Sequence, residues 1–209
     1  MLKFNRGDTL IEVLFAFSVF SLVAVGALTL MNQGSDVSER ALEVTLVRSQ
    51  VNAQAQTLRF LRDSYTAIYQ PGIAFNPNAT VKPPSWQWQA MEADIIQTGA
   101  TQATDLSQYS SACPTTPPQG SFIMNTQTAT YVSGATMAYT PATTYAKVNY
   151  TNGAQPQGMW IEAIRSANSS DPYQTNLGYI DFHIMACWPG VGTSIPSTLA
   201  TVVRLYVPR

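Results

Sequence analysis

An uncharged apolar run near the N-terminus constrains this chain more than any other feature. Residues 13–31 contain no Asp, Glu, Lys or Arg. At about 1.5 Å per residue, a helix of this length is just long enough to cross the hydrocarbon core of a bilayer. Lys3 and Arg6 precede the run and the next basic residue is Arg40, which places the N-terminus in the cytoplasm. The sequence therefore predicts a single-pass membrane helix, with everything after the run outside the cytoplasm.

An ordinary cleaved signal peptide is the alternative. Such a peptide has a shorter apolar core, followed on its far side by a cleavage site of small residues. The best candidate for such a site, Ala24-Val25-Gly26, lies inside the apolar run rather than beyond it. The length of the run therefore favours an anchor that stays on the mature protein.

A carboxylate lies at the front of the apolar run. In the stretch "NRGDTLIEVLFAF", Glu12 directly precedes the uncharged residues. Burying an unpaired carboxylate in hydrocarbon is costly, so the charge needs either a neutralising partner or access to water. Glu12 is therefore either wetted by headgroup water at the edge of a simple anchor, or paired with a group that the chain does not supply to itself.

The segment "RGDTLIEVLFAFSVFSLVAVGALTL", residues 6–30, resembles the N-terminal segment of type IV pilin precursors and of the related type II secretion pseudopilins. In that family a prepilin peptidase cuts a short basic leader after a Gly on the cytoplasmic side. The new amine is usually methylated, and a Glu is fifth in the mature chain. The resemblance implies a leader of residues 1–7, cleavage between Gly7 and Asp8, N-terminal modification of Asp8 and an assembly role for Glu12.

The resemblance also implies a partner for Glu12. In such a filament the terminal amine of one pilin subunit meets this Glu in a neighbour, so both charges are compensated in the apolar core. Family members more often begin with Phe, Met or Leu, whereas this chain would begin with Asp8, whose carboxylate would lie beside the new amine. Membrane lipid before assembly, and the inner-membrane pilus assembly machinery during it, are further implied partners.

Beyond the anchor, residues 8–31, the apolar pattern changes from continuous to striped. Hydrophobic residues recur every three or four positions as far as the Pro71-Gly72 stop, and residues 8–70 contain no proline. This spacing predicts that residues 32–70 continue the helix in amphipathic form, with one face in a core. The stripe consists of Val37, Ala41, Val44, Val47, Val51, Ala55, Leu58, Leu61, Tyr65 and Ile68.

Residues 71–209 are predicted to form a globular β-rich head. Three stretches rich in β-forming residues, 158–165, 178–188 and 199–207, are separated by turn-forming segments and predict an antiparallel meander. Its apolar face is expected against the helix stripe. This gives an α+β fold, a long N-terminal α-helix packed on an antiparallel β-sheet head, which is type IV pilin-like. The residues expected on that face of the middle strand are Ile180, Phe182, Ile184 and Ala186.

The first part of the head is less regular. Trp86 and Trp88 alternate with Gln, which predicts a short strand or a packed loop, and residues 90–97 predict a helical turn or two. Residues 121–140 and 143–151 predict further strands, broken by Gly, Asn and Pro.

The two cysteines, Cys113 and Cys187, are far apart in sequence and belong to no CxxC pair. A metal site would need more ligands than these and the single His183 supply, so no metal is expected. In an exported chain one disulfide is the expected use, and closing a loop of roughly 75 residues would restrict the unfolded chain by about 4 kcal/mol. The alternative is two buried free thiols in a reducing compartment.

Little in the sequence points to catalysis. No GxSxG stretch, phosphate loop or dinucleotide fingerprint is present, and His183 is expected to be structural within its strand. Glu162 and Asp181 fall on adjacent predicted strands, close enough to face each other, but a solvated face is the expected surrounding. The chain is therefore not expected to be an enzyme or to bind a cofactor.

Charge restricts the partners of this chain. Charged residues make up 11% of it and its formal net charge is -1, so no nucleic acid is expected as a partner. A DNA-uptake pilin, which would need a basic patch, is therefore disfavoured. The basic residues of the head are Lys82, Lys147, Arg165, Arg204 and Arg209.

The resemblance and the patterning together predict a structural subunit of a type IV pilus or a related filament, on the cell surface after assembly. The head is large for a major subunit and carries long polar inserts. This favours a minor or specialised pilin, with an adhesive role as an added function. A type II secretion pseudopilin, and a membrane-anchored surface adhesin that does not polymerise, are the alternatives.

Overall fold

A computed structural model describes residues 8–69, 83–98, 102–133, 158–165, 178–190 and 195–207. They form two helices, α1 (Asp8–Ile68) and α2 (Pro84–Thr98), and a 3-10 turn at Leu106–Tyr109. The strands are β1 (Ser121–Asn125), β2 (Thr130–Ser133), β3 (Gly158–Arg165), β4 (Tyr179–Pro189) and β5 (Pro196–Tyr206). The chain divides into two compact units, Met1–Glu43 and Val44–Arg209.

The five strands form one antiparallel sheet in the order β2-β1-β3-β4-β5. The last three strands follow one another in sequence and in space, so the predicted meander is confirmed. The α+β class with a long N-terminal helix and an antiparallel sheet is confirmed with it. Of the strands predicted within residues 121–140, β1 and β2 are present, whereas residues 134–140 and 143–151 lie outside the described residues.

The β1–β2 hairpin shows how a short polar stretch fixes the register. The Asn125 side-chain oxygen accepts hydrogen bonds from the backbone N–H groups of Gln127 (2.9 Å) and Thr128 (3.3 Å). Asn is favoured in turns because its side chain can satisfy backbone donors in this way. Ala129 completes the turn with a positive φ of 53°.

One face of α1 packs on one face of the sheet in the second unit. Along β4 the buried residues that share this face alternate with residues of the opposite face, as the period of a strand requires. The core combines four groups of side chains. Helix α1 contributes Val47, Val51, Ala55, Leu58 and Leu61; α2 contributes Trp88, Met91 and Ile95; β4 contributes Ile180, Phe182, Ile184, Ala186 and Trp188; β1, β3 and β5 contribute Phe122, Met124, Met159, Ile161, Ala163, Val203 and Leu205.

The predicted stripe on α1 is confirmed only over its middle. Val44 and Tyr65 are partly buried and bound the part of α1 that packs in the core. Val37 and Ile68 are exposed by 66% and 57%, and Ala41 is exposed as well. Among the described residues of α1, the buried stripe therefore runs only from Val44 to Tyr65, which is shorter than the pattern in the sequence.

The prediction of a strand or loop at Trp86 and Trp88 is wrong, because both residues lie in helix α2. Its buried residues Trp88, Met91 and Ile95 are spaced three and four apart, which is the helical period. Pro84 occupies the first position, where a missing N–H costs nothing. The Trp-Gln alternation is too short to outweigh this longer pattern.

Candidate assembly helix and disulfide-bound face

The first unit exposes an apolar helix surface. Large hydrophobic side chains are exposed on every side of α1 through the predicted anchor; Phe20 is exposed by 70% and Met31 by 72%. Among the described residues, α1 is one helix long and apolar enough to cross a membrane. A helix that is apolar all round is stable only when lipid or protein covers it. The exposed residues are Leu10, Ile11, Val13, Leu14, Phe15, Phe17, Val19, Phe20, Leu22, Val23, Val25, Leu28, Leu30 and Met31.

Three hydroxyl groups within this apolar surface are satisfied by the helix itself. Each donates to a backbone carbonyl three or four residues earlier, so none needs a water molecule or a second chain as its acceptor. Hydrocarbon offers no such acceptor, and internal satisfaction is therefore suited to a lipid or filament-core environment. The bonds run from Ser18 Oγ to Phe15 O (2.8 Å), from Ser21 Oγ to Phe17 O (2.8 Å) and from Thr29 Oγ1 to Val25 O (2.9 Å).

Glu12 lies in the second turn of α1 and is exposed. It makes no hydrogen bond or ion pair with any residue that the structure describes. Helix α1 begins at Asp8, the residue at which the mature chain is predicted to begin. Gly7 lies outside the described residues, so the cleavage between Gly7 and Asp8 and the modification of Asp8 stay predictions.

The cysteine pair expected from the sequence lies at disulfide distance. The Sγ atoms of Cys113 and Cys187 are 2.08 Å apart and their Cα atoms 5.6 Å apart, across 74 residues of sequence. Cys187 lies on β4, on the face of the sheet opposite to α1, and Cys113 belongs to an irregular segment. The disulfide therefore ties that segment to the sheet.

We call residues 102–120 the strap. Ala103, Leu106, Tyr109 and Cys113 of the strap pack against a small apolar cluster on the sheet face away from α1. The Tyr109 ring meets the Trp160 ring edge-on, with centroids 5.5 Å apart. The cluster under the strap consists of Ile123, Trp160, Met185 and Cys187, with Val132 beside it. The sheet thus has an apolar covering on both faces.

Glu162 lies beneath the strap, and the expectation that it would be on a solvated face is wrong. It is only 4% exposed, and both of its carboxylate oxygens accept a hydrogen bond. The backbone N–H of Thr104 in the strap donates to Oε2 at 2.7 Å, and the indole N–H of Trp160 donates to Oε1 at 3.0 Å. A buried carboxylate held by two donors is a common way for a protein to satisfy such a group without a counter-ion.

Glu162 and Asp181 do not face each other. The register of β3 and β4 places Glu162 opposite His183, and Asp181 opposite Ile164. Asp181 instead pairs with Arg204 on the neighbouring strand β5. Arg204 donates from Nε to Oδ1 and from Nη2 to Oδ2 of Asp181, each at 2.7 Å. These hydrogen bonds lower the pKa of the Asp181 carboxyl below its usual value, against the opposing effect of partial burial.

Arg204 also lies over an aromatic ring. Its guanidinium carbon is 4.0 Å from the centroid of Tyr179, which in turn meets the ring of Tyr206 edge-on at 6.2 Å. This cluster with Asp181 is half exposed at the arginine, where solvent weakens charge pairing. It therefore fixes the β4–β5 register on an open surface rather than forming a reaction site.

Sequence reasoning did not find Glu162 as a strap contact. A carboxylate flanked by apolar residues in "GMWIEAIR" was the available signal, since Trp160 and Glu162 lie two apart and share a strand face. The second donor comes from Thr104, 58 residues away. No local pattern indicates a contact over that separation.

The fold and its two candidate surfaces define an α+β protein with an exposed apolar N-terminal helix and a disulfide-bound strap on its head. Comparison with protein-family models, with curated proteins and with solved structures finds no match to this chain.

Proposed function

We propose that this protein is a structural subunit of a type IV pilus or a related filament, held in the membrane by the first part of α1 before assembly. One observation carries the proposal: the helix surface from Leu10 to Met31 is apolar and exposed, with the carboxylate of Glu12 at its front. A bilayer would cover the apolar side chains of a single copy. A neighbouring pilin subunit in a homo- or hetero-polymer, bringing an amine, would also neutralise the carboxylate.

The second support is the sequence around Gly7 and Asp8, which resembles the cleavage segment of prepilins. Cutting there by a prepilin peptidase would create a free amine at Asp8, four residues before Glu12. Within one helix these two groups lie about 6 Å apart along the axis, so a neighbouring copy shifted by about one turn would bring its amine to Glu12. The ion pair would then set the axial position of each subunit.

The third support is the folded head with its disulfide. Lys3 and Arg6 are on the cytoplasmic side of the predicted span. The residues after the span would therefore lie in an oxidising compartment outside the cytoplasm, where disulfides persist. A stable head outside the membrane is what a surface filament would display. Its size and its polar inserts favour a minor or specialised subunit with an adhesive role over a major one.

The experiment is to express the full chain with and without a prepilin peptidase and to measure its intact mass and its presence in sheared surface material. We expect a mature chain that starts at Asp8 in the sheared fraction. A Gly7→Leu variant is the matched control, because a bulky residue before the cut should leave the chain uncleaved and in the membrane. A mature chain starting near Ala27, free in the medium, would contradict the proposal and indicate a signal peptide.

A further inference from the structure

The strap is held to the sheet at two separate points. Thr104 near its start is bonded to Glu162 on β3, and Cys113 farther along is joined to Cys187 on β4. Between these points Leu106 and Tyr109 pack on the apolar cluster. The first contact is a hydrogen bond, which forms without an oxidant, whereas the second is a disulfide, which requires one.

The Thr104–Glu162 contact is built to be selective for a carboxylate. One oxygen of Glu162 accepts from the strap backbone and the other from the Trp160 indole. Hydrogen bonds to an ionised acceptor are shorter and stronger than those between neutral groups. In the amide Gln only one of the two positions can accept, so one of the two N–H donors would face an NH2 group.

The surroundings of Glu162 couple it to the rest of the strap. Trp160, which donates to it, also forms the platform for the ring of Tyr109. Burial first, and the charge of Glu162 second, raise the pKa of Tyr109. The 3-10 turn that carries Tyr109 has its own cap, since Asp105 accepts from the backbone N–H of Ser107 at 2.9 Å. The turn is thus capped by a residue of the strap itself and not by the sheet.

We propose that Glu162 is a latch that docks the strap before oxidation and so positions Cys113 beside Cys187. The disulfide then forms on a strap that is already closed, and the latch raises the effective concentration of one thiol at the other. This holds whether or not the chain assembles into filaments, because it concerns the head alone.

The oxidation step balances with glutathione disulfide as the oxidant. A thiolate of Cys113 or Cys187 attacks it, forms a mixed disulfide and releases one glutathione thiolate. The second cysteine thiolate then attacks the mixed disulfide and releases another glutathione. Two protein thiols thus lose two protons and two electrons, and one glutathione disulfide becomes two glutathione molecules. Glu162 takes no part in the electron transfer and acts only on where the strap lies.

The experiment equilibrates the full-length chain, in detergent micelles, with defined ratios of reduced and oxidised glutathione. Trapping with an alkylating reagent and mass measurement give the amounts of bridged and mixed-disulfide protein, whose ratio reports the effective concentration. We expect Glu162→Gln to lower it about tenfold or more, the usual effect of losing a hydrogen bond to a charged group. Asp181→Asn, which removes a carboxylate from the same sheet without touching the described strap, should leave it unchanged. An unchanged value for Glu162→Gln would overturn the proposal.

A second measurement keeps the test independent of how well Glu162→Gln folds. In Cys113→Ser/Cys187→Ser, amide hydrogen exchange of peptides from the strap should remain slow, because the latch is intact without the disulfide. Adding Glu162→Gln to that pair should raise exchange in the strap while β4 and β5 stay protected. If the strap exchanges as fast as an unprotected chain when only the cysteines are replaced, the disulfide alone holds it and the latch is wrong.

Discussion

Two stretches of the same helix, the anchor stretch Leu10–Met31 and the core stretch Val47–Leu61, present their hydrophobic residues in opposite ways. In the core stretch Leu58 and Leu61 are fully buried. In the anchor stretch Leu22 is 76% exposed and the hydrophobic residues surround the helix. Both stretches belong to the same helix, so the difference lies in what each stretch has available to pack against. The core stretch is completed by the sheet of its own chain, whereas the anchor stretch needs lipid or other copies.

Hydroxyl groups bond back to the helix in both stretches, as Thr57 Oγ1 does to Ala53 O at 2.9 Å in the core stretch, but a buried amide differs. In the anchor stretch the hydroxyls of Ser18, Ser21 and Thr29 bond back to their own helix. In the core stretch the buried amide of Gln54 reaches out of the helix and donates to the carbonyl of Met124 on β1 at 3.1 Å. A helix meant for a fixed protein partner can use such a directed bond, but one that must also reside in lipid cannot. Glu12 is the exception in the anchor stretch, because its carboxylate is not satisfied by its own helix. In the proposed filament the terminal amine of a neighbouring subunit neutralises it.

The largest expected effect comes from removing the charge of Glu12. Glu12→Gln should leave cleavage, membrane insertion and head folding intact but lower incorporation into filaments by about a hundredfold or more. Breaking a buried ion pair from one side costs roughly 3–5 kcal/mol, because the incoming amine loses its counter-ion in a low-dielectric core. Glu12→Asp should be milder, since the charge remains and only the reach shortens. The measurement is processed subunit in sheared filaments relative to that left in the membrane.

Glu39→Gln is the matched control for that experiment. Glu39 is an exposed carboxylate on the same helix, outside the uncharged run, so its loss should leave incorporation near the wild-type level. Normal incorporation of Glu12→Gln would show that Glu12 is a carboxylate wetted at the membrane edge. The anchor stretch would then differ from the core stretch only in being covered by lipid.

The next largest effect tests the division of α1 directly. Leu58→Ala should lower the free energy of unfolding of the head by about 2–5 kcal/mol, because it leaves a cavity in the core. Leu22→Ala should change it by less than about 0.5 kcal/mol, since that side chain is exposed. All four tryptophans lie in the head, so urea unfolding in micelles followed by their fluorescence reports on the head alone. Equal destabilisation by both variants would show that the anchor stretch packs on the head.

The disulfide is expected to contribute somewhat less. Cys113→Ser/Cys187→Ser should lower the free energy of unfolding by about 2–4 kcal/mol, mainly because the unfolded chain is no longer cross-linked. Wild-type protein unfolded with a reductant present should show the same loss. Non-reducing peptide mapping that finds both thiols free in exported protein would instead contradict the bridge and weaken the predicted topology.

Local patterns explain which elements could be predicted from the sequence. The meander β3–β4–β5 and the middle of the helix stripe consist of segments of eight or more residues with the patterns of strand and helix. Each repeat adds to the signal, so these elements and their buried faces agree with the sequence. The four-residue alternation at Trp86 and Trp88 adds too little, and the helical spacing from Trp88 to Ile95 outweighs it.

Long-range contacts explain what could not be predicted. The strap has no period, and its covering of Trp160 depends on a turn capped by Asp105 and on a backbone N–H of Thr104. A backbone donor is the same in every residue, so the sequence does not reveal which one Glu162 will accept. The cysteine pair was the exception, because with only two cysteines in the chain the partner of each is determined.

The smallest expected effect concerns pH and the head alone. Burial, with the charge of Asp94 adding to it, raises the pKa of Tyr131 to about 12 from an ordinary value of 10.0. The native state therefore keeps its phenol proton between about pH 10 and 12, while the unfolded state releases it. Stability consequently falls as pH rises through this window.

Tyr131→Phe keeps the edge-on contact with Phe122, at 6.0 Å, and removes the titrating group, so its unfolding midpoint should fall less steeply with pH. Below pH 9 the two midpoints should differ by a constant amount. Curves that stay parallel up to pH 12 would show that Tyr131 titrates alike in the folded and unfolded states. The phenol would then be as accessible to water as an exposed side chain of the anchor stretch.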